Sequence, residues 1–209
     1  MSIPKFPVTP ESFYSVLKTR INAYFEDYGK PTTGNRQLFS KAIILLAGLV
    51  AVYIHLFFFT PPLLFMIGES LLLGGLIASI GFNIMHDGAH GSFSSFPWVN
   101  RLAAATLNIL GGNSFMWNMK HNVIHHAYTN VAGVDDDIEI QPWMRMSSIQ
   151  KKRKLHKYQH LYFWVLYSFL YILWIFFLDY QKYFSRKIGP MPIKTILVTA
   201  SLVSWSIRA

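Results

Sequence analysis

Between Ala42 and Met85 the chain carries one charged side chain, Glu69. A helix crosses a bilayer with about 20 apolar residues, so this stretch is long enough for two crossings. Pro61-Pro62 supplies the turn between them, since proline ends a helix by removing a donor and clashing with the preceding turn. The expected element is a helical hairpin, roughly Lys41–Thr60 and Leu63–Met85. Composition agrees: 52% of the 209 residues are hydrophobic and 14% are charged, against about 25% charged in soluble domains.

Orientation follows from the basic residues. Lys18, Arg20, Lys30, Arg36 and Lys41 precede the first crossing, which places the N-terminal side in the cytoplasm. Two crossings return the chain there. The opening segment has no apolar core or cleavage pattern of a signal peptide. Its Phe13, Val16, Leu17 and Ile21 recur at helical spacing, which suits either a helix on the membrane surface or a solvated arm. The formal charge of +9 surrounds the apolar runs and reads as membrane-surface contact, not nucleic-acid binding. The absence of cysteine excludes disulfides and thiolate metal sites.

At the end of the second crossing stands "HDGAH", with His86 and His90 four residues apart. Residues at that spacing share one face of a helix. "HNVIHH" then places His121 and His125 on one face, with His126 at a different angle, able to reach a second ion. Five of the eight histidines thus fall within 41 residues. Neutral imidazole is a strong ligand for iron, zinc and copper, and the two clusters together predict metal binding. No H-E-x-x-H motif of a zinc protease occurs. A nitrogen-rich site beside lipid suggests iron, although zinc and copper take the same donors. Between the clusters, Leu102–Met119 is uncharged but contains Asn108, Gly111-Gly112, Asn113, Ser114 and Asn118. These are costly in lipid without partners, so an interfacial or re-entrant helix is expected, which keeps both clusters on one side.

"HDGAH" and "HNVIHH" resemble the first two histidine boxes of the membrane fatty-acid desaturases. The flanks "HHAYTNVAGVDDDIEIQPWMRMS" and "LHKYQHLY" are similar to the linoleoyl-CoA type of acyl-CoA desaturase found in bacteria, and the resemblance runs from about Lys5 onward. It implies an all-α integral membrane protein of a bacterial inner membrane, with transmembrane helical hairpins under a cytoplasmic histidine-box cap. It implies His86, His90, His121, His125 and His126 as ligands of two non-haem irons. Molecular oxygen is then the co-substrate, and a cis double bond forms in a fatty acyl-CoA or acyl-lipid. Residues 1–40 would be a cytoplasmic or interfacial segment and 41–209 the desaturase domain. The family's third histidine box is not found in these residues, so the 209 residues alone are expected not to be a working desaturase. With about 40 residues before the first crossing, a separate electron donor is expected, a ferredoxin or a b-type cytochrome. A membrane hydroxylase or ketolase with the same boxes, or a non-catalytic metal-binding membrane fragment, are the alternatives.

Other features carry weaker expectations. His156 and His160 are four apart and read as donors behind the ligands, extra ligands, or surface groups beside "KKRK", Lys151–Lys154. That run suits a cytoplasmic surface touching anionic lipid or an acyl-CoA phosphate. Asp135–Asp137 either orient the imidazoles or form a solvated loop. His55 reads as a hydrogen-bonding core residue and Glu69 as structural. Leu161–Phe177 is apolar but short, with basic residues on both sides, so it either crosses or dips back. Thr195–Ile207 reads as a further crossing cut short.

Overall fold

The computed structural model describes residue 9 and residues 11–192; the expected crossing at Thr195–Ile207 lies outside them. The chain forms two compact units, one ending at Thr106 and the other beginning at Leu107. Among the described residues, three helical stretches are long and apolar enough to cross a membrane: Arg36–Phe58, Leu63–Ala89 and Lys154–Ser185.

The first unit opens with α1, Phe13–Asp27, capped by the Ser12 hydroxyl, which accepts the Ser15 N–H at 3.2 Å. The second helix, α2, Arg36–Phe58, is capped by Asn35, whose Oδ1 accepts the Leu38 N–H at 3.0 Å. Both caps satisfy amides that have no partner in the first turn. Thr60, in the left-handed region at φ 41°, and Pro61-Pro62 separate α2 from α3, Leu63–Ile80. The turn falls where the sequence placed it. The helices pack against one another through polar pairs near both ends. Lys41 Nζ donates to Asn83 Oδ1 at 2.6 Å, and His55 Nδ1 lies 2.8 Å from Glu69 Oε2. Their apolar side chains point outward, as with Phe58 at 70% and Leu71 at 73% exposure. An apolar surface of that extent suits lipid, not water.

Beyond α3 the helix continues through a π-helical turn, Gly81–Met85, into α4, His86–Ala89. The expected end at Met85 is therefore exceeded by about one turn, and His86 and His90 ride on the helix itself. Helix α5, Pro97–Ile109, follows. Asn100, buried, ties the intervening loop: its Nδ2 donates to Gly91 and Ser94 carbonyls at 3.1 and 2.7 Å, and its Oδ1 accepts the Ser94 N–H at 2.8 Å.

In the second unit, Gly111-Gly112 separates α5 from α6, Ser114–Asn118. The polar residues that argued against a crossing here find local partners. Asn108 Oδ1 accepts the Ser114 N–H at 2.9 Å and Asn113 Oδ1 the Met116 N–H at 3.0 Å. At 13 residues, α5 falls short of the roughly 20 a crossing needs. A π-helical segment, Met119–His125, continues α6. Later, α7, Gln159–Leu173, a π-helical turn, Trp174–Leu178, and α8, Asp179–Ser185, form one long helix. The sequence reading bounded this run at Leu161–Phe177; the helix runs on to Ser185. Past Phe177, Asp179 Oδ1 accepts from Trp174 Nε1 at 2.9 Å, and Lys182 reaches Asp136, earlier in the chain, at 2.9 Å.

The described residues are mostly helical, as expected, with one short ribbon added. Strands β1, Lys187–Ile188, and β2, Met191–Pro192, pair antiparallel. Gly189 makes the turn possible, at φ +54°, and an added Cβ would stand 3.0 Å from the Val134 carbonyl oxygen, where only glycine fits without strain. The ribbon buries Ile188 against Met116, Ile124 and Val134. Ile124 and Ile188 have no exposed surface, and each burial contributes roughly 1.5–3 kcal/mol. This small core backs the second histidine cluster.

Candidate metal centre

The first pair of histidines sits in the first unit. His90 N–H donates to the His86 carbonyl at 3.0 Å, an α-helical step that brings the rings to 4.4 Å between centroids. The residue between them that matters most is Gly88. A Cβ there would lie 2.6 Å from Ala103 Cβ, 2.6 Å from the Ala104 nitrogen and 2.8 Å from the Asn100 carbonyl oxygen. The absent side chain thus lets α4 press directly on α5. The loop after His90 is closed by the Asp87 carbonyl, which accepts N–H groups of Ser92 at 2.9 Å and Phe93 at 3.2 Å.

The second cluster is built by the π-helical segment. Its bonds step five residues, and His126 N–H donates to the His121 carbonyl at 3.1 Å. In so wide a turn, the residues four and five ahead flank the first on either side. Regular α-helical spacing had turned His126 away; here the ring centroids of His121 lie 5.3 Å from His125 and 4.7 Å from His126, with His125 and His126 5.6 Å apart. Trp117 stacks on His121 at 4.4 Å. Ile124, within the same turn, faces the core, so one side of the segment anchors while the other presents imidazoles.

Carboxylates complete this cluster. Ligand atoms from His121, His125 and Asp137 lie within 4.8 Å of one another. His125 Nδ1 is 3.1 Å from Asp135 Oδ2 and 3.2 Å from Asp137 Oδ2. Lys120 Nζ holds the other Asp137 oxygen at 2.6 Å. Burial alone would raise the Asp137 carboxyl; the Lys120 ammonium, with His125 and His121, brings it below its ordinary value. Of the two expectations for Asp135–Asp137, the acidic run contacts the imidazole and is not a solvated loop.

Among the described residues, neither His156 nor His160 belongs to a group of ligand atoms close enough to share an ion. His156 is buried, with Nδ1 accepting the Arg153 N–H at 3.2 Å and Nε2 facing the Pro142 carbonyl at 2.9 Å. Both nitrogens are committed to the loop, which removes it as a ligand. His160 is exposed. Two organising residues had no signal in the sequence. Asn100 and Gln150 are lone polar residues in no motif, and only their burial marks them. Gln150 Nε2 donates to the Ile138 carbonyl at 2.9 Å, and its Oε1 accepts N–H groups of Met146 and Ser147 at 2.8 and 3.0 Å.

A cluster of three imidazoles with a carboxylate behind one ring is a donor set suited to iron, zinc or copper. The sequence model of the family described as "Fatty acid desaturase" matches residues 60–208. The "sn-1 linoleoyl-lipid 6-desaturase" of Arthrospira platensis is 36% identical over 78% of this chain and 44% of its own length. The "Acyl-lipid (8-3)-desaturase" of Physcomitrium patens is 34% identical over 88% of this chain and 38% of its own. A second "sn-1 linoleoyl-lipid 6-desaturase", from Synechocystis, is 32% identical over 92% of this chain and 55% of its own. The chain therefore spans about half the length of these relatives or less. No solved structure matches it.

Proposed function

The chain belongs to the fatty acid desaturase family, and on that footing we propose that it serves oxygen-dependent desaturation of a fatty acyl chain at two non-haem irons. His86, His90, His121, His125 and His126 are the proposed ligands. The observation that carries this reading is the triple of imidazoles gathered by one π-helical turn, with His125 backed by carboxylate. Such a donor set fits iron, which accepts imidazole nitrogen readily. Iron bound there would supply the oxygen activation that removes two hydrogens from an unactivated acyl chain.

The protein's own residues have three tasks. The imidazoles hold the metal. Asp135, Asp137 and Lys120 fix the ring of His125. Apolar helices such as α2 and α3 suit a water-poor setting for a long acyl chain, which limits escape of reactive species. The relatives' names give lipid-linked acyl chains as their substrates, which supports a lipid-linked substrate over an acyl-CoA for this chain. A separate ferredoxin or b-type cytochrome is the proposed source of electrons. The basic residues around the helices support a cytoplasmic face for the metal ligands, in a bacterial inner membrane, with residues 41–209 belonging to the desaturase domain.

The test is a chimera in which this chain replaces the matching segment of the Synechocystis relative, expressed in a desaturase-deficient host whose lipids are then examined. New double bonds are expected. His125→Ala or His126→Ala should abolish them while membrane insertion persists. Normal product from either variant overturns the assignment.

A further inference from the structure

Asp135 has no exposed surface. A carboxylate buried to that degree needs partners for its oxygens, and Asp135 has three. Oδ2 accepts the Asn130 N–H at 2.8 Å and Oδ1 accepts the Asp137 N–H at 3.0 Å. Both oxygens lie 3.1 Å from His125 Nδ1. Since the backbone amides can only donate, each oxygen is already an acceptor, and the imidazole N–H completes the set.

We propose that Asp135 is a positioning residue that holds the Nδ1–H of His125 inward, leaving Nε2 as the nitrogen offered to metal. The proposal rests on the reading of His125 as an iron ligand and adds which of its atoms binds and what orients it. The two backbone bonds matter as much as the contact to the ring. They fix the carboxylate to the loop that follows the histidines, so the ring is oriented against a rigid frame. Asp137 guards the same nitrogen from a second direction at 3.2 Å, and is itself held by Lys120. Lys182 on α8 pins the residue between them, Asp136, at 2.9 Å. The two residues that follow Asp135 are therefore each held by a lysine. Carboxylate partners of this kind fix the ring's tautomer and raise its basicity, and losing one lowers metal affinity about 10–100-fold.

The experiment uses the full chain in detergent, loaded with ferrous iron, and reads iron per chain and the rate of iron loss to a chelator. Four forms are compared with the parent: Asp135→Asn, Asp135→Ala, and chains carrying Nδ1-methyl- or Nε2-methylhistidine at position 125. Asp135→Ala should shed iron about 10–100-fold faster, with Asp135→Asn between it and the parent. The Nε2-methyl chain should lose the iron that depends on His125, while the Nδ1-methyl chain keeps it but sheds it as fast as Asp135→Ala. A role confined to loop structure would not distinguish the two methyl positions. If Asp135→Ala does not fold, the methylated pair decides alone. Parental retention by the Nε2-methyl chain, or equal loss from both methylated chains, overturns the proposal while leaving the iron reading intact. A parent chain that binds no iron overturns both.

Discussion

His55 Nδ1 on α2 and Glu69 Oε2 on α3 lie 2.8 Å apart, pairing the two ionisable groups of an otherwise apolar stretch. Each would be costly in hydrocarbon alone. Together they tie the helices near the Pro61-Pro62 turn, while Lys41 and Asn83 tie them 2.6 Å apart near the other end.

The pair should be measurable as a coupling. In a double-mutant cycle of His55→Ala and Glu69→Ala, unfolding in bicelles or mixed micelles should give an interaction energy of about 0.6 kcal/mol, and no more than about 1.7 kcal/mol. Additive single-variant effects would mean that the contact contributes nothing. Iron content of the chain should be unchanged throughout.

Gly88→Ala should perturb the first histidine pair. The new methyl would meet α5 backbone at 2.6 Å, and neither helix has a flexible side chain there to yield. A loss of about 1–3 kcal/mol in stability is expected from overpacking, together with reduced iron retention. Gly74→Ala is the control, because nothing lies within 4 Å of its added Cβ. It should be neutral or stabilising, since alanine exceeds glycine in helix propensity by about 1 kcal/mol.

His156→Ala should separate stability from metal binding. It leaves the Arg153 N–H without its imidazole acceptor, at a cost of about 1–3 kcal/mol, and thermal unfolding should report the loss. Iron per chain should match the parent. A fall in iron comparable to that of His125→Ala would restore His156 as a ligand.

The exposed face of α1 should lie on lipid. Phe13, Leu17, Ile21 and Tyr24 recur at three- and four-residue steps and are exposed, Phe13 by 83%. The helix ends nine residues before α2 begins, so the bilayer is within reach. In this cysteine-free chain, a polarity-sensitive dye at Leu17→Cys should shift to the blue in vesicles and be quenched by lipid-borne nitroxides. The same dye at Asn22→Cys, on the opposite face, should not. Equal quenching at both sites, or at neither, would contradict an interfacial helix.

Much of this was legible in the order of residues. The charge-free run, the proline pair and the histidine spacing rest on local physics: hydropathy, a missing amide hydrogen, the period of a helix. They marked the two apolar helices, their turn and both histidine clusters. The tertiary structure decided what depends on contacts distant in sequence. His126 joins His121 because the segment widens into a π-helix, a change that spacing alone does not reveal. Among three consecutive aspartates, only the fold buries Asp135 and turns it to His125, while Asp136 meets Lys182 from another helix. The two imidazoles of "HKYQH" share a spacing with those clusters, yet His156 is spent on backbone groups and neither joins a group of ligand atoms close enough to share an ion. Composition shows which side chains can bind a metal. Which of their atoms remain available is set by the hydrogen bonds that folding makes first.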